Sequence, residues 1–167
     1  TKIDTPGASD NASGVAVLLE LARRLGRRRL PLGLELVAFT GEEYLPIGDD
    51  EYMRRGEAEL GQIVAAINFD GVADWLDADT IMLAGGAPAL RSAAEDVVQR
   101  YPAVEWTDPW PESNHSSFSF RGVPAFAFTT LGARRLAHLR TDAAEWISPA
   151  KLSQLVDLAA DLVEMLQ

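Results

Sequence analysis

Apolar residues recur along this chain in two rhythms, and each rhythm predicts an element. Between Ala12 and Leu25, the positions Val15, Leu18, Leu19, Ala22 and Leu25 repeat every three or four residues, which predicts an amphipathic helix with that set inward. The run Arg27-Arg28-Arg29 that follows reads as a solvated helix end, favourable beside the negative end of the helix dipole. Leu32 to Thr40 is short and apolar and stops at Gly41, a buried strand by pattern. Asp49 to Arg55 suits a short helix, Gln62 to Phe69 a second strand and Thr80 to Leu83 a third. Pro88 to Tyr101 reads as a helix with Leu90, Ala94, Val97 and Val98 inward, followed by a short extended piece at Val104 to Trp106. Ser116 to Arg121 makes one or two helical turns stopped by Gly122, and Val123 to Thr130 is a fourth strand. Ser148 is a good N-cap, and Pro149 fits the first helical position. Leu152, Leu155, Val156, Ala159, Leu162, Val163 and Leu166 then form one apolar stripe. Strands alternating with helices predict an α/β sheet with helices on its faces, and ligands sit at the carboxyl ends of such strands.

Composition narrows the classes. The 167 residues suit one domain, able to bury roughly 70% of its unfolded surface. Cysteine is absent, so a disulfide scaffold and a thiolate zinc finger are excluded. With 15 basic and 25 acidic residues, the formal charge is −10, which argues against a nucleic-acid partner. Apolar runs are too short for a transmembrane helix, and no signal-peptide pattern stands out.

The chemistry is sought at strand ends. Asp10 lies in Gly7-Ala8-Ser9-Asp10-Asn11-Ala12-Ser13-Gly14, just before the first helix, where an N-cap is the plain reading. Glu42 and Glu43 follow Phe39-Thr40-Gly41; taken alone, two adjacent loop glutamates are usually solvated. Asp70 closes Asn68-Phe69-Asp70-Gly71, where Asp-Gly signals a turn. The two histidines are His115 and His138. Together these residues carry more weight than each does singly. Carboxylates after successive strands converge at one edge of a sheet, and hard oxygen ligands with a histidine suit an open, catalytic zinc site. A two-metal hydrolase needs a bridging carboxylate, terminal ligands, and a free carboxylate to take a proton from water. A Glu-Glu pair at a turn can divide the last two tasks.

In these stretches the chain resembles the co-catalytic zinc aminopeptidases, the metallopeptidase group that also contains glutamate carboxypeptidase and the transferrin-receptor ectodomain. The resemblance rests on Thr5 to Gly14, Phe39 to Glu43, Asn68 to Gly71, Ser113 to Phe118 with Gly122-Val123-Pro124-Ala125, and His138 with Asp142. It implies a three-layer α/β/α fold with a mostly parallel mixed central sheet, residues 1–167 forming a single catalytic domain without the family's opening strands. It implies that Asp10 bridges two zinc ions, that Glu43 and His138 complete one zinc site, and that Asp70 holds the other ion. Glu42 would be the general base and then the proton donor to the leaving amine. Asp142 would orient the His138 imidazole from behind. His115, with Asn114 where the family has an aspartate, would be a pocket-wall residue. A cis peptide at Asp10–Asn11 is also implied.

Two departures bear on this. The family's zinc-binding histidine in a His-x-Asp strand has no counterpart before Asp10, so one zinc site lacks a ligand here, as expected of an N-terminally truncated chain. Ala137 and Leu139 flank His138 where the family has Tyr-His-Thr, so the carbonyl-polarising tyrosine is missing at that place. The activity implied is hydrolysis of the N-terminal bond of peptides, in a secreted or periplasmic setting. The alternatives are a glutaminyl-cyclase-like acyltransferase, whose single zinc would need only Asp10, Glu43 and His138, and a non-catalytic interaction domain.

Overall fold

The computed structural model describes residues 4–56, 60–132 and 135–167. Its centre is a mixed four-stranded sheet of β1 (Ala66–Phe69), β2 (Asp79–Ala84), β3 (Val104–Trp106) and β4 (Ala125–Thr130), in the order β1-β4-β2-β3. β1 runs parallel to β4 and β2 parallel to β3, while β2 and β4 are antiparallel. Five helices surround it: α1 (Ser13–Leu25), α2 (Ile47–Gly56), α3 (Pro88–Val98), α4 (His115–Ser119) and α5 (Pro149–Met165).

Two separate cores make the layering clear. On one face α1, α3 and α5 bury Val17, Leu21, Leu25, Val97, Leu155 and Leu162 against Ile81, Phe126 and Phe128 of the strands. Phe69 and Phe128 stack there with ring centres 4.8 Å apart. On the other face Met53 of α2 and Phe118 of α4 pack with Val123 and Ala125, and Phe39 and Tyr52 close that cluster edge-on. The three-layer α/β/α arrangement with a mostly parallel sheet is therefore present. The final helix begins as its sequence predicts: the Ser148 hydroxyl accepts from the Lys151 N–H at 3.3 Å, and Pro149 opens the first turn.

Two expectations need correction. In α1 the buried row is Val17, Leu21 and Leu25 with Ser13 and Gly14, whereas Val15 is 43% and Leu19 68% exposed. The four-residue row through Val17 meets α5 and the sheet, and Val15 and Leu18 turn instead toward a cavity. That cavity is the second point. Leu32 to Thr40 is not a strand; it forms no ladder, and Leu32, Leu34 and Leu36 stay partly exposed. It faces residues 62–69 across a space of about 1040 Å³ lined by Leu34, Leu36, Ala38, Val64 and Ala66 among others. A strand exists only where a neighbour completes its hydrogen bonds, and this separation prevents that. The second predicted strand is correspondingly shortened to Ala66–Phe69, with a tight turn at Leu60–Gln62 before it.

Removing the α5 cap tests the reading of that helix. Ser148→Ala is expected to lower stability by about 1 kcal/mol, a fall in melting temperature of roughly 2–4 °C for a chain of this size. Thermal unfolding followed by circular dichroism measures it, and an unchanged midpoint would show that the cap contributes nothing.

Candidate metal centre

The turn before α1 is irregular. Residues Ala8–Ala12 depart from helical geometry at Asp10 and Asn11, and the peptide joining those two is cis, as the resemblance implies. Asp10 is therefore not a helix cap; the residue at the N-cap of α1 is Ala12. Long-range hydrogen bonds hold this turn on two sides. The Asn11 side-chain nitrogen donates to the Phe69 carbonyl at 2.8 Å, while its oxygen accepts from Gly14 N at 3.0 Å and Gly71 N at 3.4 Å. The Ser13 hydroxyl donates to Ser9 O at 2.7 Å and accepts from Val72 N at 3.1 Å. These bonds fasten the turn to the end of β1, where Asp70 sits. Gly14 is needed there, because a Cβ would lie 2.5 Å from both the Asn11 side chain and the Phe69 carbonyl. On the other side, Asp142 is fully buried and its carboxylate accepts from Ser9 N at 2.6 Å and Asp10 N at 3.0 Å.

Glu42 and Glu43 occupy a tight turn that opens at Gly41, whose φ of +81° is left-handed; Tyr44 N and Leu45 N donate to the Gly41 carbonyl at 3.2 and 3.1 Å. The turn sends Glu43 toward His138, with Glu43 Oε2 2.5 Å from His138 Nε2. Asp10 Oδ2 lies 3.1 Å from the same nitrogen. It is buried and makes no hydrogen bond. One imidazole nitrogen cannot donate to two carboxylates at once. The three ligand atoms all lie within 4.8 Å of one another, the one such cluster among the described residues. A tetrahedral zinc with bonds of about 2.0–2.2 Å spaces its ligand atoms by roughly 3.4 Å, so the donor set and its dimensions fit such an ion. Oxygen and imidazole donors together also suit it chemically.

Charge supports this fit. Burial, a hydrogen bond to Glu43 and the charges of Glu43 and Asp70 push the Asp10 carboxyl from 3.8 up to about 7. Burial also acts on Glu43, but bonds from Asp10 and His138 outweigh it and hold that carboxyl below its usual value. The pair thus keeps its proton on Asp10. Glu42 is raised by burial and by the charges of Asp70, Glu43 and Asp49. Asp70 is therefore close enough to act on both Asp10 and Glu42, although it stands outside the three-atom cluster.

His115 is 1% exposed and lies apart from the cluster. Its Nε2 is 2.8 Å from the Trp110 carbonyl, its ring meets the Trp110 ring edge-on, and burial lowers its pKa. It lines the large cavity together with Asn114. Asn114 donates to the buried Asp49 at 2.6 Å, and Ser117 donates to the other oxygen of Asp49 at 2.8 Å, so α4 is tied to the start of α2. Sequence reasoning assigned no role to Asn11, Ser13 or Asp49. All three act through partners some 58 to 68 positions away, a distance that no local pattern encodes.

Comparison with known proteins agrees with the geometry. The sequence profile described as Peptidase family M28 matches residues 1–163. Aminopeptidase YwaD of Bacillus subtilis (strain 168) is 29% identical over 173 aligned residues, covering 95% of this chain and 37% of that protein. The solved structure of the aminopeptidase from Aneurinibacillus sp. strain AM-1 superimposes with a TM-score of 0.84 at 26% identity, over 98% of this chain and 40% of that one. A glutaminyl cyclase from an Acidobacteriales bacterium shares the fold, with a TM-score of 0.69 at 21% identity over 96% of this chain and 62% of that one. In each case the chain spans less than two thirds of the relative's own length.

The raised Asp10 value has a consequence for stability. Without metal, the folded chain holds a proton at Asp10 that the unfolded chain releases at lower pH. That stabilising contribution is full below about pH 3.8 and is lost as pH rises through about 7. In chelator, Asp10→Asn is therefore expected to melt about 2–4 °C above the unmodified chain near pH 8, the two converging near pH 4. Melting curves across that range check it, and a variant that melts lower near pH 8 contradicts the repulsion.

Proposed function

The chain belongs to Peptidase family M28, and from that premise we propose that residues 1–167 form the catalytic domain of a zinc-dependent exopeptidase that cleaves the N-terminal bond of peptides. The observation that carries the proposal is the meeting of Asp10 Oδ2 and Glu43 Oε2 on one nitrogen of His138. The names of the aminopeptidase relatives support the choice of the N-terminal bond.

Asp10, Glu43 and His138 would hold one ion, with Asp10 shared toward a second ion on the Asp70 side. Zinc, when bound, lowers the pKa of an attacking water toward about 7 and withdraws charge from the scissile carbonyl. Glu42 is adjacent to this cluster in the chain but is not part of it. Its carboxylate takes the water's proton as the oxygen bonds to the carbonyl carbon. It then gives that proton to the leaving nitrogen as the C–N bond breaks, which returns Glu42 to its starting state. Its raised pKa, from burial and the charges of Asp70, Glu43 and Asp49, makes it a stronger base than an exposed glutamate. Glu43 cannot do the same while its charge faces His138 and Asp10.

One observation favours a second reading. The cluster of Asp10, Glu43 and His138 is complete without Asp70 and would suffice for a single ion. A glutaminyl-cyclase-like acyltransferase would use such a site, and a solved glutaminyl cyclase shares the fold.

The test pairs zinc content with turnover of aminoacyl-anilides, for the unmodified protein and for Glu42→Gln. The substitution is expected to leave zinc content unchanged and to lower kcat by about 10²–10⁴-fold. Turnover surviving in Glu42→Gln removes Glu42 from the base role. A zinc-loaded protein that cyclises glutaminyl peptides and leaves anilides intact favours the second reading.

A further inference from the structure

Asp142 is the most enclosed carboxylate near the proposed metal centre, with no exposed surface. Both of its oxygens are engaged by consecutive main-chain donors, Ser9 N at 2.6 Å on Oδ1 and Asp10 N at 3.0 Å on Oδ2. Its own main-chain carbonyl accepts from Ala8 N at 3.2 Å. Three successive N–H groups of the irregular turn are thus bound by one residue more than 130 positions away. Asp142 is fixed in turn, its N–H donating to Leu139 O at 3.1 Å within a run of tight turns that begins at Leu136. His138 stands inside that run in a left-handed conformation, φ 65°.

Among the described residues, no lysine or arginine pairs with Asp142. A buried carboxylate held only by neutral N–H groups is an expensive fastener for a turn that uncharged groups could hold. Its position explains the expense. Asp142 joins the main chain of Asp10 to the loop that carries His138, and those two side chains must meet at 3.1 Å. A pair of adjacent N–H groups aimed at one carboxylate also fixes the direction in which the turn faces. The clamp acts on Asp10, whereas the resemblance gave Asp142 a role on the His138 imidazole.

We infer that Asp142 is a positioning residue for the metal centre: it clamps the Asp10 turn to the His138 loop so that the two ligands are set before an ion arrives. The inference rests on the zinc reading given above. Removing the clamp frees Asp10 from His138 and weakens the grip on metal while the substrate pocket is left as it was. Changes in groups that orient a metal ligand commonly weaken metal binding by about 10–100-fold.

The experiment measures zinc affinity by competition with a chelating dye, in the full-length protein and in Asp142→Asn, whose amide keeps the shape but can accept only one of the two N–H bonds. A control is Asp79→Asn. Asp79 is another buried carboxylate, accepting from Ala73 N at 2.7 Å and the Thr130 hydroxyl at 2.6 Å, away from the cluster. Asp142→Asn is expected to lose about 10–100-fold in zinc affinity with KM held within about twofold and kcat reduced. Asp79→Asn is expected to lower the metal-free melting temperature yet bind zinc like the unmodified protein. Equal zinc affinity in Asp142→Asn and the unmodified protein overturns the clamp but leaves the zinc reading standing. An unmodified protein that binds no zinc overturns both. If Asp142→Asn does not fold, hydrogen exchange on the unmodified protein decides the matter. Zinc should slow exchange at Ser9 N and Asp10 N by about tenfold or more, because ion and clamp hold the same turn, and exchange there that ignores zinc overturns the inference.

Discussion

Negative charge gathered in one half-buried pocket must be answered by something positive, and the candidate site of this protein depends on how that demand is met. Asp10, Glu43, Asp70 and Glu42 come from three separate stretches of chain, and the charges of Glu43 and Asp70 raise both Asp10 and Glu42. Without a cation the pocket makes do with a proton on Asp10 and the imidazole of His138 beside Glu43. Both are poor substitutes. The proton leaves Glu43 charged, and the imidazole is a single nitrogen asked to serve two carboxylates. The same electrostatics favour a cation among these carboxylates, as the zinc proposal requires.

The scaffold delivers these groups without being part of them. Phe126 and Phe128 on β4 and the row Val17, Leu21 and Leu25 on α1 form a dry core on one face of the sheet. That core fixes where β1 ends, and β1 fixes Asp70. The Asn11 and Ser13 bonds then carry the register of the sheet into the turn that presents Asp10. Placement therefore passes from apolar packing to hydrogen bonds to charge.

Much of this was legible in the residue pattern, for reasons that differ by element. α5 declared itself because its cap, its proline and its stripe are all local features of one stretch. Asp10 and Glu43 were legible as candidates because Asp-Asn-Ala-Ser-Gly and Thr-Gly-Glu-Glu are short motifs beside turns, and the structure brings these two together with His138. Two readings failed. Periodicity gave α1 its existence but not its phase, since the packing surface prefers the row through Val17 to the one through Val15. Leu32 to Thr40 has a strand's composition, yet strand formation is a property of pairs, and its facing neighbours stand across a cavity. The work of Asp142 and Asn11 on the main chain could not be read at all, because the groups they bind, the Ser9 N–H for Asp142 and the Phe69 carbonyl for Asn11, lie far off in sequence.

The space between Leu32–Thr40 and β1 leaves two banks of backbone facing each other with no ladder between them. Leu34, Leu36 and Ala38 line one bank and Val64 and Ala66 the other. Unpaired backbone beside apolar side chains is what an open sheet edge offers to a passing strand. At high concentration that seam should favour self-association, visible as light scattering that grows with concentration.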